Sequence, residues 1–205
     1  MAFEDLRGTM GRQVVTRTSS GLAVKSKPKY RYPVQPATRA GIDRFKVATD
    51  VWNTLTFAEV EAWRRFALTI ERQDPVTGKR YSPLAKNVFV GLASKLLQLN
   101  PTVEVPRVPP AGEFLGDSLL VSVSSEPGSL VFTASAPNSP GVVTELLVQV
   151  LPNPRRSPTK DYKSVAFVVF ADEPVAIPVA TGLYAVGYRF VEAASGRMTE
   201  MWTLG

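Results

Sequence analysis

Leu55-Thr56-Phe57-Ala58-Glu59-Val60-Glu61-Ala62-Trp63 is the stretch on which the reading of this chain turns. Thr56 followed three residues later by Glu59 is a capping box, so a helix is expected to start here. Leu55 before the cap and Val60 after it can form a hydrophobic staple. Val60, Trp63, Ala67 and Ile70 then recur at helical spacing, with Glu61, Arg64, Arg65 and Arg72 off that face. On the N-terminal side, Ile42, Phe45, Val51, Trp52 and Leu55 suit a preceding amphipathic helix. On the C-terminal side, Asp74-Pro75-Val76-Thr77-Gly78 is turn chemistry. Ser82-Pro83 then offers a polar N-cap with proline in the first helical position. Leu84, Val88, Leu92, Leu96 and Leu99 form an apolar stripe that Asn100-Pro101 ends. Residues 37–100 therefore read as a small three-helix region with Trp52, Trp63 and Phe89 in its core.

Further outward the character changes on both sides. Residues 1–36 read as an extended basic arm. Arg12–Thr18 and Leu22–Lys27 are short β-prone runs, and Ser19-Ser20-Gly21 between them reads as a hairpin turn. Lys27 to Pro36 holds Pro28, Pro33 and Pro36, which favours an extended path. An isolated hairpin is marginal in water, so this arm is expected to gain order from a surface it lies against. The residues expected to contact a partner are Arg12, Val14, Arg17, Val24, Lys25, Lys27, Lys29, Tyr30, Arg31 and Tyr32. Basic residues beside Tyr30 and Tyr32 also suit phosphates and bases, which keeps a nucleic-acid-binding module as an alternative. No helix-turn-helix, zinc-finger or RNA-recognition sequence accompanies them.

Residues 101–112 read as a proline-rich linker, extended and semi-rigid. Residues 113–205 switch to strand-like runs: 119–124, 129–134, 144–150, 164–170, 183–191 and 199–204, with turn signals between them. Pro174 and Pro178 reduce Val175-Ala176-Ile177 to an edge strand at most. This spacing predicts a β-sandwich of immunoglobulin or fibronectin type III kind. The fold class expected is thus α+β: an extended N-terminal β-hairpin arm, a small three-helix region and a C-terminal β-sandwich.

The chain has 205 residues, formal net charge +6, no Cys and no His. Their absence removes thiol chemistry, imidazole or thiolate metal sites and every triad with a histidine base. No phosphate-binding glycine loop occurs. Asp172-Glu173, between a strand and a proline, is an acidic pair that reads as a solvated turn. Arg155-Arg156 with Lys160 and Lys163 reads as a solvated basic loop. Charge divides unevenly, at +6 over residues 1–50, +3 over 51–100 and −3 over 101–205. No apolar run reaches the length of a membrane span, and Met1–Asp5 does not read as a secretory signal. No enzyme activity, cofactor or metal is expected.

Several of these pieces resemble small virion-associated structural proteins of tailed phages and prophages. Gly8-Thr9-Met10-Gly11-Arg12-Gln13-Val14-Val15, Lys25-Ser26-Lys27-Pro28, Gln35-Pro36-Ala37-Thr38-Arg39 and Phe45 look like the opening of such proteins. Leu55-Thr56 through Ala62-Trp63 is similar to their L-T-x-x-x-x-x-A-W segment. Asp74–Tyr81 and Asn87-Val88-Phe89-Val90 look like their T-D-x-x-G-x-x-Y and G-x-x-A-F-V pieces. The chain departs from them in having Val34-Gln35-Pro36 for the usual Asn-Pro and Asn87 where Gly or Ala is common. The resemblance covers residues 8–100. It implies a structural virion role without fixing a station in the virion. Taken with the arm, the helical region and the sandwich, it makes a capsid-associated or decoration protein the first expectation, assembled in the host cytoplasm, with other virion proteins or further copies of the chain as partners. A carbohydrate-binding adhesin using the sandwich is the remaining alternative.

Overall fold

The computed structural model describes residues 8–10, 13–18, 21–26, 35–74, 77–159, 161–171 and 173–204. Its first elements are strands β1 (Gly8–Met10), β2 (Gln13–Thr18) and β3 (Gly21–Ser26), then helices α1 (Pro36–Asn53) and α2 (Phe57–Leu68). Strands β4 (Arg72–Gln73) and β5 (Arg80–Tyr81) precede helix α3 (Ala85–Leu99). Strands β6 (Val121–Glu126), β7 (Ser129–Ala134), β8 (Val142–Leu151), β9 (Lys163–Val168), β10 (Val175–Pro178), β11 (Leu183–Glu192) and β12 (Trp202–Leu204) complete the chain. Among the described residues the fold is α+β, three helices with several antiparallel sheets. The chain divides into two units, Met1–Arg39 and Ala40–Gly205.

Helix α2 carries the expected capping box. The Thr56 N–H donates to Glu59 Oε2 at 2.6 Å, and the Glu59 N–H donates to Thr56 Oγ1 at 3.4 Å. Helix α3 starts later than the sequence reading: its N-cap is Leu84, without a side-chain cap bond, instead of Ser82. The cause is local, because Leu84 is itself extended, at φ −64° and ψ 136°. Asn100 is also extended and ends α3, as the following proline requires. The turn between β4 and β5 uses Asp74, whose carboxylate accepts from the Thr77 N–H at 2.8 Å, and Gly78 at φ +68°. The helices share a core around Trp63, Phe89, Ala48 and Leu97. Trp63 meets Phe89 edge-on at 5.1 Å, and Trp52 lies 5.4 Å from the same ring. Each such buried apolar side chain contributes about 1.5–3 kcal/mol.

In the C-terminal half a three-stranded sheet, β10-β7-β6, and a four-stranded sheet, β12-β11-β8-β9, share a second core. Phe132, Leu146, Phe170 and Phe190 are almost completely buried within it. β10 forms despite its proline, and it lies at an edge, where a missing N–H does no harm. Trp202 is partly exposed but stacks on Tyr188 at 5.5 Å.

β8 is buried on both faces. Val142, Leu146 and Val148 point into the shared core, while Val143, Glu145 and Leu147 alternate with them and are also buried. In register on β11, Val191 and Arg189 lie opposite Val143 and Glu145. Helix α3 covers this second face. Lys95 Nζ donates to Glu145 Oε1 at 2.9 Å, and Arg189 Nε donates to Glu145 Oε2 at 2.6 Å. The Glu145 side chain is 0% exposed. Burial opposes its ionisation, yet the hydrogen bonds from Arg189 and Lys95 hold it below the usual carboxylate range. Burial in turn pushes Lys95 down, against the pull of Glu145. Gly196, at φ +75°, fits the turn after β11 against α3, where a Cβ would stand 2.4 Å from the Leu92 carbonyl oxygen.

Residues 101–112, expected as a linker, run as a strap tied to both sides of this unit. Val105 is buried in the helical core, and Trp63 Nε1 donates to the Arg107 carbonyl at 2.8 Å. Arg107 donates to Glu59 at 2.7 Å, and Arg197 donates to the Gly112 carbonyl at 2.6 Å. Prolines supply no N–H and keep this segment out of a strand ladder, and the carbonyls of Arg107, Ala111 and Gly112 are taken up by Trp63 and Arg197 from either part.

Candidate interaction surface

In the first unit β2 is central, paired antiparallel with β1 on one side and β3 on the other. β3 is an edge strand of six residues, about 20 Å long at the usual rise. Opposed residues of an antiparallel pair share a face. Val15 lies opposite Val24, which places these two on one face, and Leu22, two residues before Val24, is on the same face of β3. Val14 and Thr16 lie opposite Lys25 and Ala23 on the other. Leu22 is 51% exposed and Val24 59%, whereas Val14 and Val15 are half-buried. Lys25 is exposed at the end of β3.

The candidate partner residues thus separate. Val14 and Lys25 share one face, and Val24 lies on the other; Arg17 is paired with Leu22 in the backbone register, and its side chain lies outside the described residues. Arg12, Lys27, Lys29, Tyr30, Arg31 and Tyr32 lie outside the described residues, as do Ser19-Ser20 of the expected turn. Leu22, read from the sequence as part of an alternating β-prone run but not among the expected contact residues, is the second large exposed apolar side chain beside Val24. An edge strand carrying exposed apolar residues can accept a further strand through its backbone while Leu22 and Val24 bury against the newcomer.

Two other features lie in the second unit. A cleft of about 290 Å3 is lined by Trp63, Leu92, Val105, Pro106 and Pro109, with Arg197 and Glu192 at its polar end. Arg197 is fully engaged: it donates to both Glu192 oxygens at 2.8 Å and to the carbonyls of Gly112 and Ala111. Its hydrogen bonds, ahead of the opposing effect of burial, hold Glu192 below the usual carboxylate range. Ser195 Oγ donates to the same carboxylate, so the cluster closes the turn after β11. The second feature is a groove beside α3 whose inner lysine, Lys95, is already held by Glu145 and Gln98. Among the described residues no three acidic side chains gather as a metal site would need, and no helix is long and apolar enough to cross a membrane. Asp172 of the acidic pair lies outside the described residues.

Comparison of the chain with protein-family models, with curated proteins and with solved structures finds no match.

Proposed function

We propose that this chain is a non-enzymatic structural protein of a phage virion, capsid-associated or decorating, which docks on neighbouring subunits through residues 1–36. In this reading β1–β3 are the hairpin arm, and the two sheets around Phe132 and Phe190 are an immunoglobulin- or fibronectin-like sandwich that the particle presents. The observation that carries it is β3, an edge strand with Leu22 and Val24 exposed, in a unit that contact alone separates from residues 40–205. Strand addition to a capsid or neighbouring subunit would bury both side chains and supply the ordering contacts that so small a sheet lacks. Repetition over a shell makes individually weak contacts collectively strong. The resemblance of residues 8–100 to virion-associated proteins points the same way.

The test is incorporation into particles by the full chain carrying Leu22→Lys and Val24→Lys, compared with charge reversal at Lys25, Lys27 and Lys29. The reading expects the first variant to be lost from particles and the second to be retained in part, because backbone pairing survives it. Complete loss on charge reversal alone, with DNA competing for the wild-type protein, would assign the arm to nucleic acid instead.

A further inference from the structure

We propose that β6 pairs antiparallel with β6 of a second copy of the chain, joining the two three-stranded sheets across a two-fold axis at Val123. The two sheets of the C-terminal half end in four edge strands, β6, β9, β10 and β12. A bare edge invites unwanted pairing, and proteins blunt it with bulges, prolines, charges or short strands. Three of these edges carry such a device. The pairing of β9 on β8 slips at Leu146 and Leu147, which leaves Val165 as a bulge, and β9 opens on Lys163. β10 contains Pro178, and β12 has only three residues. β6 has none of them. Its six residues, Val-Ser-Val-Ser-Ser-Glu, pair with β7 without a break from Val121 to Glu126.

The phase of the ladder shows which groups are left over. Leu120 exchanges bonds with Ser135: its N–H donates to Ser135 Oγ, and its carbonyl accepts from the Ser135 N–H, both at 2.9 Å. Backbone direction alternates along a strand, so Ser122, Ser124 and Glu126 also turn towards β7. Val121, Val123 and Ser125 turn their N–H and C=O groups outward, and no backbone bond among the described residues reaches them. A partner strand must meet two conditions. Its outward-turned residues must face these three, and its core-side residues must lie opposite Val121 and Val123, which pack on the shared core. A second β6 meets both at once. With Val123 opposite itself, Val121 faces Ser125 and Ser122 faces Ser124, and the outward groups of both strands make about six hydrogen bonds. Charge permits this register. Glu126 falls opposite Leu120, which is 70% exposed, and the two Glu126 carboxylates stand about 20 Å apart, beyond the screening length. Ser122 and Ser124 are exposed and small, so nothing on the outer face obstructs the approach.

This inference is independent of the docking role of β1–β3. The test therefore uses the full chain carrying Leu22→Lys and Val24→Lys, in which the β3 edge is already blocked. Sedimentation equilibrium should show a monomer–dimer equilibrium with a Kd of about 0.1–1 mM, since one strand pair makes a small interface. Ser125→Pro removes an outward N–H that has no partner within the chain. It should leave the urea midpoint unchanged and weaken the dimer by at least about tenfold. The chain has no cysteine, so the register can be read by oxidation with diamide. Across the pair, positions 122 and 124 lie about 4.5 Å apart between Cα atoms, within reach of a disulfide, whereas each lies more than about 7 Å from its own copy. An equal mixture of Ser122→Cys and Ser124→Cys chains should cross-link, and either alone should not. Monomers alone at about 1 mM, a dimer indifferent to Ser125→Pro, or cross-linking of the single variants as fast as the mixture overturns the proposal.

Discussion

Substitution of Glu145 by Gln keeps the side-chain volume and removes one charge from the seam between α3 and the four-stranded sheet. Glu145 is 0% exposed, and its cationic partners are 9% (Lys95) and 24% (Arg189) exposed, so water screens little of the change. The glutamine leaves the Lys95 ammonium and the Arg189 guanidinium close together with no counter-charge. It also turns one acceptor towards them into a donor. Breaking a buried pair from one side costs about 3–5 kcal/mol. A domain of ordinary stability has about 5–15 kcal/mol in total. With a urea dependence of about 2 kcal/mol per M, the midpoint should fall by roughly 2 M. Tryptophan fluorescence reads it directly, because Trp52 and Trp63 sit in the helical core and Trp202 stacks on Tyr188 in the sheet. A triple replacement, Lys95→Met, Glu145→Leu and Arg189→Met, should recover most of the loss, since apolar residues of similar volume match a buried ion cluster. A midpoint shift below about 0.5 M for Glu145→Gln would refute the reasoning, for it would mean less than about 1 kcal/mol at this site.

Gly196→Ala should destabilise by at least about 2 kcal/mol in the same assay, because the new Cβ meets the Leu92 carbonyl in a left-handed backbone. Phe132→Ala, at a fully buried position of the second core, should cost about 3–5 kcal/mol. The Arg107 hydrogen bond, then the Thr56 amide, holds Glu59 down to about 2 from 4.5. Its contribution is therefore complete above pH 4.5 and is lost as pH falls towards 2. Arg107→Gln should flatten that acid limb of the stability profile, measured by urea midpoints over the same range.

The local grammar of this chain was legible because it rests on neighbours in sequence. Thr56 and Glu59 specify the start of α2 within four residues, and the run 129–134 is β7 to the residue. The later start of α3 was not legible, since Ser82-Pro83 satisfied the capping pattern and only the extended Leu84 displaces it. Long-range partners were hidden for a different reason. Nothing local ties Lys95 to Glu145, fifty residues away, or Arg107 to Glu59. A signal was present nonetheless. Lys95 interrupts the apolar stripe of α3, and Glu145 interrupts the apolar run of β8. A charge inside a face that should be buried asks for a partner. At the candidate surface, the pattern of residues 12–27 gave the strands. Which side chains share a face followed only from the register of β2 on β3.

The account's central claim is that β3 completes its pairing on another protein. Electron cryomicroscopy of the assembled particle that carries this chain measures this most directly. The account predicts β3 continued, strand to strand, by a segment of a neighbouring subunit, with Leu22 and Val24 covered. Particles that lack the chain, or a map in which residues 7–36 lie along nucleic acid with the edge of β3 bare, would contradict it.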